Sequence, residues 1–243
     1  MNKYLIRPLL LLAFFLMLTI SCKEKADDIA YINFNPSITY GSIIDLDGNV
    51  YKTVTIGNQT WMAENLKTTK YRNGDPIENV TDNTQWKNLT TGGYCTYDND
   101  LSYQNAYGHL YNFYAVSDTR NIAPEGWHVA TDAEWTILNN YLGGGITAGD
   151  KLKETGTIHW SVSNSQTNES GFTALPGGFR NNMTFAGIKT VYHFSDIGLN
   201  GYWWSSTESE SIAAIIRYFA FDNSLLTLSF LKHYGCSVRC VKD

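Results

Sequence analysis

The chain contains little charge and no cluster of basic residues. Only 17% of its 243 residues are charged, and the formal net charge is −5. A protein that binds nucleic acid presents a basic face to the phosphates, and this composition does not supply one. We therefore expect no nucleic-acid partner.

Histidine and cysteine are also scarce, and their spacing predicts no metal site. The chain has 5 His and 4 Cys, and no two histidines stand four residues apart, as two ligands on one helix face would. Asp45, Asp47 and Asn49 imitate the start of a calcium loop. The bidentate glutamate of such a loop would fall at Ile56, so calcium is only an alternative here. We expect no metal and no cofactor.

Residue patterns typical of catalysis are missing as well. No serine lies in a Gly-x-Ser-x-Gly elbow, and the glycine run 143–145 follows a predicted helix, whereas a phosphate loop precedes one. His128 could form an acid–base cluster with Asp132 and Glu134, but the helix start already explains both carboxylates. The sequence therefore predicts no catalytic residue.

The longest apolar run is too short to cross a membrane. It extends from Leu9 to Leu18, whereas a spanning helix needs about 20 residues. Lys3 and Arg7 precede it and the small Ser21 follows it, so residues 1–21 are predicted to be an export signal. Cys22 then resembles the cysteine of a bacterial lipobox, which becomes the acylated N-terminus after cleavage. An ordinary secretory signal is the alternative.

The chain after the signal divides into a tether and one domain. Residues 22–42 begin with charged residues and show no periodicity, so we expect the acylated cysteine and a flexible tether there. Charges directly after an acylated cysteine also resemble the surface-export signals of lipoproteins in the Bacteroides group. These features indicate a protein anchored by lipid in the cell envelope, at the outer membrane or cell surface. Residues 43–243 are long enough for a single domain with its own core.

Local patterns in this domain predict mainly strands. Asp47–Gly48 and Gly57–Asn58 separate alternating apolar residues as hairpin turns do. Residues 131–134 fit a capping box, which predicts a helix that ends at the glycines 143–145, and residues 110–116 predict a short buried helix. We expect an α+β domain with mainly antiparallel strands and one or two helices. The further predicted strands are 172–175, 202–206, 215–221, 225–230 and 237–241.

If Cys22 is acylated, three cysteines remain. In an oxidising compartment two of the three can pair. Cys236 and Cys240 are four residues apart on one predicted strand, which rises about 3.3 Å per residue, so a bridge between them is difficult. We favour Cys95 with Cys240, and the sequence leaves the other pairings open.

Aromatic residues make up 14% of the chain, with 7 Trp and 16 Tyr. Trp203 and Trp204 on one strand must point to opposite sides, so we expect one to face outward or lie under a loop. Together with Trp160 and Arg217 it would form a binding face with a platform for a sugar ring. For the charges embedded among apolar residues, however, we favour internal ion pairs and hydrogen bonds that hold long coil segments. These charges are Glu64, Glu169, Arg180, Glu208, Arg217 and Arg239.

Eight segments carry a resemblance to a known family. They are 45–51 (DLDGNVY), 61–66 (WMAENL), 107–112 (YGHLYN), 126–129 (GWHV), 131–135 (TDAEW), 168–180 (NESGFTALPGGFR), 203–208 (WWSSTE) and 237–241 (SVRCV). In this order, from about residue 45 to residue 243, they resemble the Fibrobacter succinogenes major paralogous domain. The resemblance implies an exported or lipid-anchored protein. A looser similarity of the second half to the formylglycine-generating-enzyme group implies a C-type-lectin-like fold with long ordered loops.

We therefore expect a lipid-anchored module of the cell envelope that binds a glycan or a protein and has no catalysis of its own. One alternative is an exported enzyme of the formylglycine-type fold. That chemistry needs two reactive cysteines that hold copper, and only Cys236 and Cys240 are close in sequence. The other alternative is a purely structural surface protein.

Overall fold

The computed structural model describes residues 31–162, 165–184 and 191–243. The predicted signal and Cys22 lie outside these residues. Within them the chain forms thirteen strands in three sheets and five α-helices. The strands are β1 Gly41–Ile44, β2 Val50–Ile56, β3 Gln59–Met62, β4 Glu78–Asn79, β5 Gly93–Cys95, β6 Leu110–Tyr111, β7 Trp127–Val129, β8 Gly177–Thr184, β9 Val191–Ile197, β10 Gly201–Glu210, β11 Ala213–Phe219, β12 Leu225–Leu231 and β13 Cys240–Lys242. The helices are α1 Asn83–Lys87, α2 Gln104–Tyr107, α3 Phe113–Val116, α4 Asp132–Tyr141 and α5 Gly145–Leu152.

The first sheet joins the two ends of the domain. Its strand order is β1-β2-β3-β13-β7, and Val241 near the end of the chain pairs with Trp61 on β3. Both predicted hairpins are confirmed, with Gly48 and Gly57 at the turns in the left-handed region that glycine favours. The small second sheet has the order β4-β5-β6.

Residues 31–42, which the sequence assigns to the tether, pack on the domain. Ile32 is buried, and the side chains of Phe34, Ile38 and Tyr40 lie against the core. The backbone N–H of Asn33 donates to Glu154 Oε1 at 2.7 Å. These apolar contacts make the segment part of the folded domain, so the predicted boundary at residue 43 lies too far along the chain.

The third sheet has core on both of its faces. Its order is β12-β11-β10-β8-β9, with β10, β11 and β12 antiparallel. One face of β10 contributes Trp204 to a core that includes Phe113 of α3, which we call the first core. The other face contributes Trp203 to a core that includes Trp135 of α4 and Phe172, which we call the second core.

Helix α4 begins as the sequence predicts. Thr131 Oγ1 accepts a hydrogen bond from the Glu134 N–H, and Glu134 Oε2 accepts one from the Thr131 N–H at 2.8 Å. The other carboxylate oxygen of Glu134 lies 2.7 Å from Nε2 of His128, whose Nδ1 lies 2.7 Å from Asp243 Oδ1. Asp132 instead pairs with Arg217. The carboxylates are thus explained by capping and by ion pairs.

Other predicted elements differ from the structure. Residues 110–116 form a two-residue strand and then α3, because Asn112 Oδ1 accepts from the Ala115 N–H at 3.0 Å and starts the helix there. Residues 172–175 are coil apart from one isolated bridge at Ala174, and β13 covers only the end of the predicted strand 237–241. The α+β class agrees with the described fold, but the described residues form five α-helices, three of them five residues or shorter, where the sequence predicts one or two. None of the helices in the described ranges is both long and apolar enough to cross a bilayer.

Candidate functional site

The two adjacent tryptophans of β10 are both internal. Each is 0% exposed, Trp203 Nε1 donates to Asn65 Oδ1 at 2.8 Å, and Trp204 Nε1 donates to the Tyr111 carbonyl at 2.8 Å. They point to opposite faces as expected, but both faces are covered by core. The prediction that one of them faces outward is therefore wrong.

Trp160 and Arg217 are internal as well. Trp160 is buried, and its Nε1 donates to the Ala174 carbonyl at 3.1 Å. Arg217 Nη2 lies 2.5 Å from Asp132 Oδ1 and 2.6 Å from Thr136 Oγ1, which ties β11 to the first turns of α4. The four residues predicted to form a binding face thus stabilise the interior, and they do not meet at one surface.

Buried arginines hold coil segments, as the favoured interpretation of the embedded charges predicts. Arg239 donates to the carbonyls of Met62, Phe172 and Thr173 and to Asn65 Oδ1. Arg180 donates to the Val80 and Thr81 carbonyls and to Asn83 Oδ1. This role is confirmed for Arg180 and Arg239, whereas Arg217 joins β11 to α4 through an internal ion pair with Asp132.

Cys95, Cys236 and Cys240 are free and fully buried. The expected bridge between Cys95 and Cys240 is absent. Cys95 lies on β5 in a small cluster with Trp86, while Cys240 lies on β13 in the first core, so different sheets hold them. Burial raises the pKa of Cys95 to about 11 and also raises the pKa values of Cys236 and Cys240. None of the three thiols reaches solvent.

The residues that imitate a calcium loop form a hydrogen-bonded turn. Asp45 Oδ1 accepts from the N–H groups of Asp47 and Asn49 at 2.9 Å, and its Oδ2 accepts from the Tyr51 hydroxyl at 2.6 Å. Asp47 Oδ1 lies 3.1 Å from Lys70 Nζ. Across the part of the chain that the structure describes, no group of three or more His, Cys, Asp or Glu could hold a metal ion.

A cleft lined by aromatic rings opens on the third sheet, and we call it the aromatic cleft. It has a volume of about 600 Å³. Tyr202 on β10 stands opposite Tyr218 on β11, so the two rings share a face of the sheet and lie 4.9 Å apart. Phe179 on β8 lies 4.5 Å from Tyr202, and Phe230 on β12 lies 5.3 Å from Tyr234. These five rings form the aromatic wall of the cleft.

Polar groups lie beside this wall. Asp196, at the end of β9, accepts a short hydrogen bond from the Tyr202 hydroxyl and a second from Asn200 Nδ2 at 3.0 Å. The Tyr218 hydroxyl donates to Asn200 Oδ1 at 3.1 Å. Burial and the bond to Asp196 raise the pKa of Tyr202, and burial raises the pKa of Tyr218, so both hydroxyls stay neutral. Ser195 and Ser229 complete the polar edge.

The aromatic cleft carries negative charge. Asp196 is its one charged side chain, and none of the described residues that line it is Lys or Arg. Apart from this carboxylate, the two serines and the tyrosine hydroxyls, the walls are apolar, and Leu228 on β12 is 40% exposed. Such a surface favours a neutral ligand with an apolar face over an anionic one.

The sequence analysis does not predict this cleft. The predicted binding face is based on tryptophans, whereas tyrosine and phenylalanine rings form the wall of the cleft. A weak signal is present: Leu226, Leu228 and Phe230 alternate along one predicted strand. The alternation predicts an apolar face, but it does not reveal that Leu226 stays 46% exposed and that none of the described elements covers this end of the sheet.

Comparison with known proteins identifies a family. No curated protein and no solved structure matches the chain. The family model of the Fibrobacter succinogenes major domain matches residues 54–242, from β2 to β13, and confirms the resemblance seen in the sequence. The chain belongs to the Fibrobacter succinogenes major domain family.

Proposed function

We propose that the protein is a lipid-anchored module of the cell envelope that binds a glycan through the aromatic cleft and has no catalysis of its own. The observation that carries the proposal is the cleft itself. Tyr218, Phe230 and Tyr234 are partly exposed there, next to hydroxyl groups and the carboxylate of Asp196. A concave apolar site with a few convergent polar groups is the usual form of a small-ligand site.

The chemistry of the cleft matches a neutral sugar. One face of a sugar ring is lined by C–H groups and packs on aromatic rings, while its hydroxyls exchange hydrogen bonds with carboxylates and serine hydroxyls. The rings are held in contact with one another at 4.5 to 5.6 Å, so little side-chain entropy is lost on binding. Asp196 would repel an acidic sugar, so the proposal favours neutral glycans over uronic or sialic acids.

A C-type-lectin-like arrangement is the fold that we propose at finer detail. Its support is the small number of helices and the long ordered coil segments between the three sheets. Such segments present side chains from several elements at one surface, which suits a binding module.

Glycan binding can be tested on an array of neutral and acidic glycans, followed by titration of the best ligand. We expect Tyr218→Ala and Phe230→Ala to lower the affinity about tenfold or more, since truncation of a central aromatic contact costs about 1–2 kcal/mol or more. Tyr141→Ala is the matched control, because Tyr141 lies on α4 outside the aromatic cleft and is 65% exposed. Equal effects of all three variants, or no binding to any glycan, would overturn the proposal.

The lipid anchor needs a separate test. Cys22 lies outside the described residues, so the proposal rests on the sequence pattern alone. We expect the mass of the mature N-terminal peptide to show an acylated Cys22, and Cys22→Ser to release the protein from the membrane fraction. A mature N-terminus at another residue, without acyl chains, would refute the anchor.

A further inference from the structure

A buried lysine lies beside the turn between β11 and β12. Lys153 follows α5 and is 0% exposed. Its Nζ lies 2.8 Å from Asn223 Oδ1, donates a short hydrogen bond to the Ala220 carbonyl and sits 4.1 Å from the centre of the Trp160 ring. A buried ammonium group is normally paired with a carboxylate, but these hydrogen-bond acceptors are a carbonyl and a carboxamide.

The amine can lose its proton at this position. Burial lowers the pKa of Lys153 to about 8, against the opposing charges of Asp222 and Asp150. About a tenth of the Lys153 side chains therefore carry a neutral amine at pH 7, and a neutral amine in apolar surroundings is a nucleophile.

The Asn223 carboxamide is fixed on its other side by an acid. Asn223 is 2% exposed, and its Nδ2 donates a short hydrogen bond to Asp150 Oδ1 and a longer one, at 3.4 Å, to Ser165 Oγ. Ser165 Oγ also donates to Asp150 Oδ1 at 2.7 Å. The carbonyl oxygen of the carboxamide thus faces the amine, while its nitrogen faces a carboxylate that can carry a proton.

We propose that Lys153 and Asn223 join in an intramolecular isopeptide bond. The neutral Nζ of Lys153 attacks Cγ of Asn223, and the bond from Cγ to Nδ2 breaks. Once Nζ is bonded to Cγ it lies next to Nδ2, so Asp150, which already accepts a hydrogen bond from Nδ2, can take the proton lost by Nζ and pass it to Nδ2, which leaves as ammonia. One amine and one carboxamide give one secondary amide and one ammonia, so the step needs no oxidant, reductant or cofactor.

The bond would tie the end of α5 to the β11–β12 turn across 70 residues of sequence. A covalent link of this kind restricts the unfolded chain as a disulfide does, and it does not depend on redox conditions. That property suits a protein that is exported and whose described cysteines are free and buried. The inference does not depend on ligand binding at the aromatic cleft.

Peptide mapping of the full-length protein by mass spectrometry tests the proposal. We expect trypsin to leave the bond after Lys153 uncut, and a branched peptide that joins Lys153 to Asn223 to be lighter than its two linear parts by one ammonia. Lys153→Met should abolish the branched peptide and restore the full mass. Asp150→Asn should lower the cross-linked fraction, because it removes the proton carrier but keeps the shape of the side chain.

Lys151→Met is the matched control. Lys151 lies on the same helix, and its Nζ pairs with Glu169 at 2.9 Å, away from Asn223. This variant should keep the branched peptide. The proposal is overturned if Lys153 and Asn223 of the unaltered protein occur in linear peptides after incubation above the pKa of Lys153. Loss of ammonia without a branched peptide, as in a succinimide at Asn223, overturns it too.

Discussion

At the scale of single residues, buried arginines replace the hydrogen bonds that secondary structure would otherwise provide. Coil inside a domain leaves carbonyl groups without partners, and each must find a donor. Arg239 supplies donors to two such carbonyls, to the Met62 carbonyl at the end of β3 and to the Asn65 side chain, at 2.7 to 3.0 Å. One guanidinium can do this because its five N–H groups point in fixed directions. The coil around residue 172 is therefore as well determined as a strand.

Replacement of Arg239 should be among the most destabilising changes in the domain. Arg239→Met keeps the apolar stem but removes the Arg239 donors from three buried carbonyls, and it leaves Trp203 Nε1 as the remaining donor to Asn65 Oδ1. We expect the free energy of unfolding to fall by about 3 kcal/mol or more, as measured by chemical denaturation. The matched control is Arg120→Met, since Arg120 pairs with Asp75 and Asp118 at the surface and should change stability far less. A similar loss in both variants would contradict this role of Arg239.

At the scale of elements, the contact between α5 and the β11–β12 turn depends on one glycine. Alanine normally stabilises a helix interior relative to glycine by about 0.5–1 kcal/mol. At Gly149, however, an added Cβ would overlap the backbone carbonyl of Asn223. Helix propensity and packing therefore predict changes of opposite sign at this position, and the overlap with backbone is the larger effect.

We expect Gly149→Ala to destabilise the domain by about 1–3 kcal/mol, the usual cost of overpacking. Thermal unfolding measures the change. Thr147→Ala is the control in the same helix, because Thr147 is exposed and its replacement should leave stability unchanged or slightly higher. An increase in stability with Gly149→Ala would show that the turn does not pack against α5 as described.

A second element contact should depend on pH. His128 of β7 lies between Glu134 of α4 and Asp243 at the end of the chain. Burial alone would lower its pKa, but hydrogen bonds to the two carboxylates outweigh burial and raise the pKa above 6.5. The stability gained from the charged form is complete below about pH 6.5, the unfolded value, and is lost as the pH rises through the folded pKa.

His128→Gln should remove this pH dependence. We expect the loss of stability between about pH 6 and 8 to become shallower in the variant, by denaturation at several pH values. His233→Gln is the control, because His233 lies outside this contact. His159→Gln is unsuitable, because His159 is buried against Glu154. The effect should shrink at high salt, since the His128 side chain is 33% exposed. An identical slope in the His128→Gln variant would exclude the contact as its source.

The elements that the sequence predicts correctly are those whose structure depends on residues close together in the chain. The hairpins at Gly48 and Gly57 and the capping box at Thr131 are each decided by a few neighbouring residues. The segment 172–175 is apolar enough for a strand, yet it is coil, because Arg239 binds its carbonyls from 66 and 67 residues away. Strand alternation correctly predicts that Trp203 and Trp204 point to opposite faces of the sheet. The sequence of one strand does not reveal, however, that each of these faces is covered by a core.

At the scale of the whole molecule, the three free thiols lie in different parts of the interior. Cys95 lies in the cluster beneath the small sheet, while Cys236 and Cys240 belong to the first core. All three are fully buried, and burial raises their pKa values. For Cys95, the change from 9.0 to about 11 lowers the thiolate fraction about a hundredfold. Lack of access slows the reaction further.

Thiol labelling therefore measures whether these regions open separately or together. Since the C-terminal strand β13 lies between β3 and β7 in the first sheet and Cys236 pairs with Tyr111 of the small sheet, we expect the domain to open as one unit. In native protein, iodoacetamide should then label Cys95, Cys236 and Cys240 slowly and at similar rates. With rising denaturant, all three thiols should become reactive at the same concentration. Peptide mass spectrometry follows each site, and denatured protein is the control for intrinsic reactivity. Faster labelling of Cys95 alone would show that the small sheet opens independently, and a site that stays unlabelled in denaturant would indicate a disulfide.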